Sequence, residues 1–268
     1  MNHLRRELAP ISDEAWQAVD DEARGRLTTQ LAARQVVDFL GPNGWSHSAT
    51  NLGRTASIAS PSEGLVAAQR RVLPLLELRA EFKVSRVELD DIDRGATNTN
   101  FDELDEAVRQ IAVGENFTVF HGHQASGIRG VTETSSHKPM TFGADTERYP
   151  NTVADAVDRL RQSGIAGPYA LVLSPGIYTR IVQTAEHGGH LLFDHLRRIL
   201  DGPLVWAPGV ECGVVLSLRG GDFVFDCGED LSIGYLDHDA DVVRLYLEES
   251  FSFRVDEPDA SVQLRPAK

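Results

Sequence analysis

With 268 residues, 41% of them hydrophobic, the chain is long enough to bury a sizeable core in one large unit or two modest ones. Its formal net charge of −14 argues against a nucleic-acid backbone as partner, because that surface wants clustered Lys and Arg. No apolar run approaches the ~20 residues of a membrane span, the opening MNHLRRELAPISDE lacks the apolar stretch of a secretory signal, and two lone cysteines, Cys212 and Cys227, are expected as free thiols of an intracellular protein.

Ser12 is placed to cap a helix whose first turn holds Asp13 and Glu14. Trp16, Val19, Ala23 and Leu27 then recur at helical spacing, and the helix is expected to run to about Arg34. RQVVDF reads as a strand and GPNGW as a turn cluster. Residues 46–70 are small, polar and weakly patterned, so they are expected as an arm or extended hairpin whose partners lie on another chain. VLPLLELRAEFKVS alternates like a strand, and ELDDIDRG follows as a short helix or turn. FDELDEAVRQIAVGENFTVFHG is a strong helix with Leu104, Ala107, Val108, Ile111 and Ala112 as its apolar stripe and a break expected at Gly114.

TVADAVDRLRQSG is a second amphipathic helix stopped by Gly164. YALVLS is a short apolar strand, PGIYTRIVQTA a helix opened by proline, LLFDHLRRIL another helix and LVWAP another strand. GVVLSLRGGDFVFD predicts two strands around a Gly-Gly turn. DLSIGYL, a polar DHDAD turn and the long alternating strand VVRLYLEESFSFRV follow. Helices and strands mix without βαβ order, which points to an α+β fold.

The search for chemistry returns little. GxGxxG after a strand, the P-loop, GxSxG and HExxH are all absent. His121 and His123 in FHGHQ share a face of an extended segment, but two ligands fall short of the three a catalytic metal wants. DHDADVV lacks the glycine and distal glutamate of an EF-hand loop. AEHGGHLLFDH, residues 185–195, gathers Glu186, His187, His190, Asp194 and His195. On a helix His190 and His195 would stand roughly 140° apart, so they do not share a face. No catalytic residue and no metal site is expected.

Several segments carry a resemblance. ELAPISDEAWQAVDDEA, RQVVDFLGPNGW, ELDDIDRG, GIAGPYALVLSP, RGGDFVFDCGEDLSIGY and VRLYLEESFSFRV, in order along the chain, resemble the encapsulin shell proteins, also called the linocin-like bacteriocin family. The resemblance implies the fold of tailed-bacteriophage major capsid proteins: a peripheral domain with a long spine helix, an axial domain and an extended loop. Mapped here, it implies an N-terminal helix and peripheral start at 1–45, an extended loop at 46–78, peripheral domain at 79–135, axial domain at 136–222 and a return to the peripheral domain at 223–268. It further implies a non-enzymatic subunit that self-assembles into an icosahedral nanocompartment in the bacterial cytoplasm. Such a shell encloses a cargo protein, a dye-decolourising peroxidase or a ferritin-like protein, held by a C-terminal targeting peptide. Two other readings stand beside it: a bacteriocin or protease-like activity, and a phage-derived capsid that still packages DNA.

By the same resemblance, Arg34 and Asp38 match positions of the cargo-peptide groove, Leu231 and Ile233 would supply its apolar wall, and Leu27 adds to it. Packing of the helix on the sheet is the alternative role for all five. Some members resemble flavin binders with a tryptophan just before the ELD segment; Val87 stands there in this chain and has no stacking face, so no cofactor is expected. Glu186, His187, Gly188, Gly189 and His190 fall in the loop that resembles the family's fivefold pore lining. Rings of histidines there would titrate near neutral pH.

Overall fold

The computed structural model describes residues 2–143, 145–185 and 191–266. Helix α1 (Asp13–Gln30) begins where Ser12 caps it, the side-chain hydroxyl accepting from the Ala15 amide at 3.0 Å. It buries Ala15, Trp16, Val19, Ala23 and Leu27. It stops at Gln30 instead of reaching Arg34, and the cause lies elsewhere in the chain. The buried amide of Asn116 donates to the Gln30 carbonyl at 2.8 Å and accepts from the Ala33 N–H at 2.9 Å. That side chain takes over the groups a further helical turn would have used.

Strand β1 (Asp38–Leu40) is the short remnant of the expected RQVVDF strand. Strands β2 (Ala49–Ile58) and β3 (Ala67–Pro74) pair antiparallel as a sheet of their own, a hairpin exposed over most of its length. Next come β4 (Leu76–Ser85), α2 (Arg86–Asp93) and α3 (Asp102–His121). The expected break at Gly114 is absent. α3 runs through it, and a Cβ there would meet Leu78 Cδ1 at 3.3 Å, so the glycine serves close packing of α3 on β4.

The chain continues through α4 (Val131–Thr134), β5 (Met140–Phe142), α5 (Tyr149–Gln162), β6 (Tyr169–Leu173), α6 (Pro175–Gln183), α7 (Leu192–Leu200) and β7 (Leu204–Trp206). It ends with β8 (Gly213–Ser217), β9 (Phe223–Cys227), β10 (Ser232–His238), β11 (Val242–Val255) and β12 (Ser261–Pro266).

Two mixed sheets organise these elements. In the first, β11 is the spine: β4 pairs along one edge, while β9 and β10 follow one another along the other, and β1 adds parallel to β9. The second has the order β5-β12-β8-β6-β7. Thus β8 and β9 are both strands, as expected, but they belong to different sheets. Gly220 and Gly221, at φ +84° and +82°, carry the chain across instead of closing a hairpin. Residues 261–266, expected from the resemblance in the return to the peripheral domain, pair in the second sheet beside β8 and β5.

Two apolar clusters hold the molecule together. Helices α1, α2 and α3 cover one face of the first sheet through Val19, Leu104, Ile111, Phe82, Leu245 and Leu247. A larger cluster joins the second sheet and its helices to Phe225, Phe251 and Phe253 of the first. Cys212 and Cys227 are buried free thiols; burial pushes the Cys227 thiol up to about 12. No helix among the described residues is long and apolar enough to cross a membrane.

Candidate functional site

The groove lies between α1 and the outer edge of β10. It is a cavity of about 380 Å³ whose apolar wall includes Leu4, Leu27, Leu31, Leu231, Ile233 and Leu247. α1 contributes Leu27 because its buried stripe recurs every three to four residues. β10 contributes Ile233, with Leu231 two residues earlier on the same side. Leu27 and Ile233 are also core residues, at 8% and 4% exposure, whereas Leu231 is only half-buried. β10 is the last strand of its sheet on this side, and the N-terminal segment takes part of its outer backbone edge. Tyr235 donates its N–H outward to the Leu4 carbonyl at 2.8 Å. Ladder alternation then directs the N–H and C=O of Ile233 the same way, toward the groove.

Charged pairs mark the rim. Arg6 holds Asp20 with two hydrogen bonds of 2.8 and 3.1 Å and lies 3.9 Å over the Trp16 ring. Arg34 is more deeply set. Its Nε donates to Glu115 at 2.7 Å, one terminal nitrogen to Asp230 at 2.7 Å and the other to Glu249 at 2.8 Å. Burial alone would lower its pKa, but Glu115, Glu249 and Asp230 outweigh it and hold the guanidinium charged. Burial raises both Glu115 and Glu249, Glu249 the more because Glu115 stands beside it. Arg34 therefore joins α3, β11 and the turn before β10 under the groove floor.

Of the residues expected at the groove, Leu27, Arg34, Leu231 and Ile233 come together. Asp38 does not. It lines a separate depression beside Gly220 and Asp222, and its carboxylate accepts from the Gly221 N–H. It ties β1 to the crossing between the two sheets, and the partners of Arg34 are Glu115, Asp230 and Glu249. Glu115 and Glu249 are the residues the sequence reading missed. Both carried a signal: Glu115 continues the apolar stripe of α3 four residues after Ile111, and Glu249 occupies the inward register of Leu245, Leu247, Phe251 and Phe253.

Val87 is exposed on α2. Glu186, His187, Gly188, Gly189 and His190 lie outside the described residues; Ala185 and Leu191 on either side are joined by an antiparallel bridge.

Comparison with known proteins decides the family. The Linocin_M18 family model, described as "Encapsulating protein for peroxidase", matches residues 1–252. A type 1 encapsulin shell protein of Rhodospirillum rubrum is 46% identical, covering 99% of this chain and 97% of that protein. Its counterpart in Mycobacterium tuberculosis is 38% identical over 98% of this chain and 99% of that one. The chain belongs to the encapsulin shell-protein family. Encapsulin subunits are structural, and the fold agrees. A virus-like particle from Pyrococcus furiosus superposes with a TM-score of 0.66 at 16% identity, covering 94% of this chain and 98% of that one. The capsid of Myoviridae phage XM1 does so at 0.55 and 12% identity, covering 88% and 92%. The tailed-phage capsid fold is thus present in this encapsulin chain.

Proposed function

We propose that copies of this chain close into an icosahedral shell in the bacterial cytoplasm and retain cargo by docking its C-terminal peptide in the groove between α1 and β10. The carrying observation is the groove itself: an apolar trough beside the outer edge of the terminal strand β10, of which the N-terminal segment takes only the Tyr235 N–H among the described residues. Such an edge offers backbone hydrogen bonds to an extended peptide, while apolar pockets select alternate side chains. Leu27, Leu231 and Ile233 form the wall, and Arg34 shapes the floor through its three carboxylates. Within this reading the hairpin is the extended loop, residues 136–222 make the axial domain, and Val87 leaves the shell without flavin. The family description names a peroxidase, which favours a peroxidase over a ferritin-like protein as cargo.

Leu231→Asp tests the groove. Leu231 is half-buried, so the change spares the core in a way that Ile233→Asp would not. The reporter is a fluorescent protein carrying a C-terminal tail rich in Gly, Leu and Ile, compared with the same protein without it. Burial of a leucine is worth about 1.5–3 kcal/mol, so loading should fall roughly tenfold or more while shells stay intact by electron microscopy. Intact shells that load the reporter normally defeat the assignment.

A further inference from the structure

The hairpin of β2 and β3 carries a charge arrangement that the isolated chain does not explain. An antiparallel pair of strands is at best marginally stable by itself, and this one has no core: residues 53–66 are exposed throughout. Ile58, Val66 and Val72 stand exposed along it. A bulge at Asn51/Arg54, with Gly53 at φ +63°, sets the register. The result is that Arg54 lies directly opposite Arg71. Directly opposed side chains in an antiparallel pair have Cβ atoms about 5 Å apart, and like charges there are destabilising. Arg70 follows on the other face, opposite Thr55. None of the three arginines has an ion-pair or hydrogen-bond partner among the described residues.

This is a cationic arm on an anionic molecule. Residues 46–74 hold three arginines and one glutamate, Glu63, in a chain of net charge −14. An acidic corner lies between α2 and α3, where Glu88, Asp93 and Glu103 accept hydrogen bonds from Asn100 N–H, Ser12 Oγ and Lys83 N–H. Glu88, Asp90, Asp93, Asp102 and Glu103 lie within it, and none of them is ion-paired among the described residues. Nearby Asp91, Asp105 and Glu106 are already held by Arg94, Arg26 and Arg109.

We propose that the Arg54–Arg71 pair is a carboxylate clamp that docks on the α2–α3 corner of a second copy of this chain. The like-charge pair opposes folding of the arm alone and is relieved only when carboxylates arrive, which makes the arm selective for a partner carrying paired acids. The inference rests on the shell reading and specifies which surfaces of two copies meet.

Charge exchange tests it, on shells assembled without cargo, so failure of the peptide groove leaves the test unaffected. Arg54→Glu/Arg71→Glu keeps two like charges opposed within the arm and reverses only their sign toward a partner. At about 0.15 M NaCl its shell yield, by size-exclusion chromatography and electron microscopy, should fall at least about tenfold with unchanged unfolding of the free subunit. Asp90→Lys/Asp102→Lys should fail likewise, and all four changes together should recover to within about twofold of the parent. Normal yield from the reversed arm, or no recovery on combination, overturns the proposal. Loss of fold in both that variant and Arg54→Gln/Arg71→Gln overturns it too, because the arginines would then be structural. Nuclease-sensitive nucleic acid bound to the parent and lost from the reversed arm would assign the clamp to phosphate and not to a second copy.

Discussion

Arg34 sits where two demands meet. It borders the groove, yet every arm of its guanidinium is committed to a carboxylate of its own chain. Two of those carboxylates, Glu115 and Glu249, are buried to 0% and 1% exposure. Removing the cation strands them, and breaking a buried pair by deleting one partner costs about 3–5 kcal/mol. Arg34→Met should therefore lower the melting temperature by roughly 6–20 °C, at the 2–4 °C per kcal/mol of a chain this long. Arg34→Lys should rescue little, because a point charge cannot reach three carboxylates in a fork. The decisive comparison is Arg34→Met in a Glu115→Gln/Glu249→Gln background, where the same change should cost far less. An equal cost in both backgrounds would show that the cluster is not what Arg34 supports. The sign with pH follows from the raised carboxyls. Their contribution is full below pH 4.5 and is lost as pH rises through their raised values.

At the scale of elements, α3 is the piece that couples the two sheets. Its Asn116 donates to the Pro208 carbonyl at 3.0 Å, and its last residue, His121, accepts from the Glu211 N–H at 3.3 Å through Nε2. The other ring nitrogen meets Thr132 Oγ1 at 3.2 Å, and since Thr132 donates to the Phe120 carbonyl, His121 must be the donor there. A neutral ring satisfies both contacts; a protonated one loses the Glu211 bond. Burial accordingly lowers the His121 pKa, with Glu211 and Glu133 opposing it less strongly. The stabilisation is present above pH 6.5 and lost as pH falls through the lowered value, with a slope of up to about 1.4 kcal/mol per pH unit. His121→Gln should remove that slope between pH 7 and 5. The quantity to measure is the difference between parent and variant melting curves, because the buried glutamates move the other way in that window. Identical slopes would exclude His121 as the titrating group.

These elements also show what was legible in the chain. Local signals placed nearly every element: the Ser12 cap and the α3 stripe appear as read, and β11 is one long strand, but it is buried on both faces from Leu245 to Phe253 instead of alternating. What failed was decided by distant partners. Asn116 ends α1 from 83 to 86 residues away, and the Gly220–Gly221 turn joins two sheets that the local strand–turn–strand pattern could not separate. Short strands such as β5 and β12 had too few residues to show a period. At the groove, Leu27, Leu231 and Ile233 were reachable from the family resemblance. Asp38, assigned to the groove by the same resemblance, instead lies beside Gly220 and Asp222, a placement set by the long-range pairing of β1 with β9.

At the scale of the molecule, two electrostatic effects act on assembly with opposite sign. Subunits of charge −14 repel one another across their whole surfaces, at separations well beyond a close contact. Raising salt from about 0.01 M to 0.15 M shortens the Debye length from about 30 Å to about 8 Å and removes most of that repulsion. An arginine–carboxylate clamp acts over a few ångströms and outlasts this change, but near 1 M salt, with a Debye length of about 3 Å, it too is screened. Shell yield should therefore rise with salt and then fall. Arg54→Gln/Arg71→Gln should keep the rising limb, because the net charge is still strongly negative, and lose the falling one, because nothing ionic then holds the arm. Light scattering across a salt series, parent against variant, reads both limbs at once. A parent yield that only rises would mean that the exposed Ile58, Val66 and Val72 hold the arm by burial alone, since hydrophobic contacts do not weaken as salt is added.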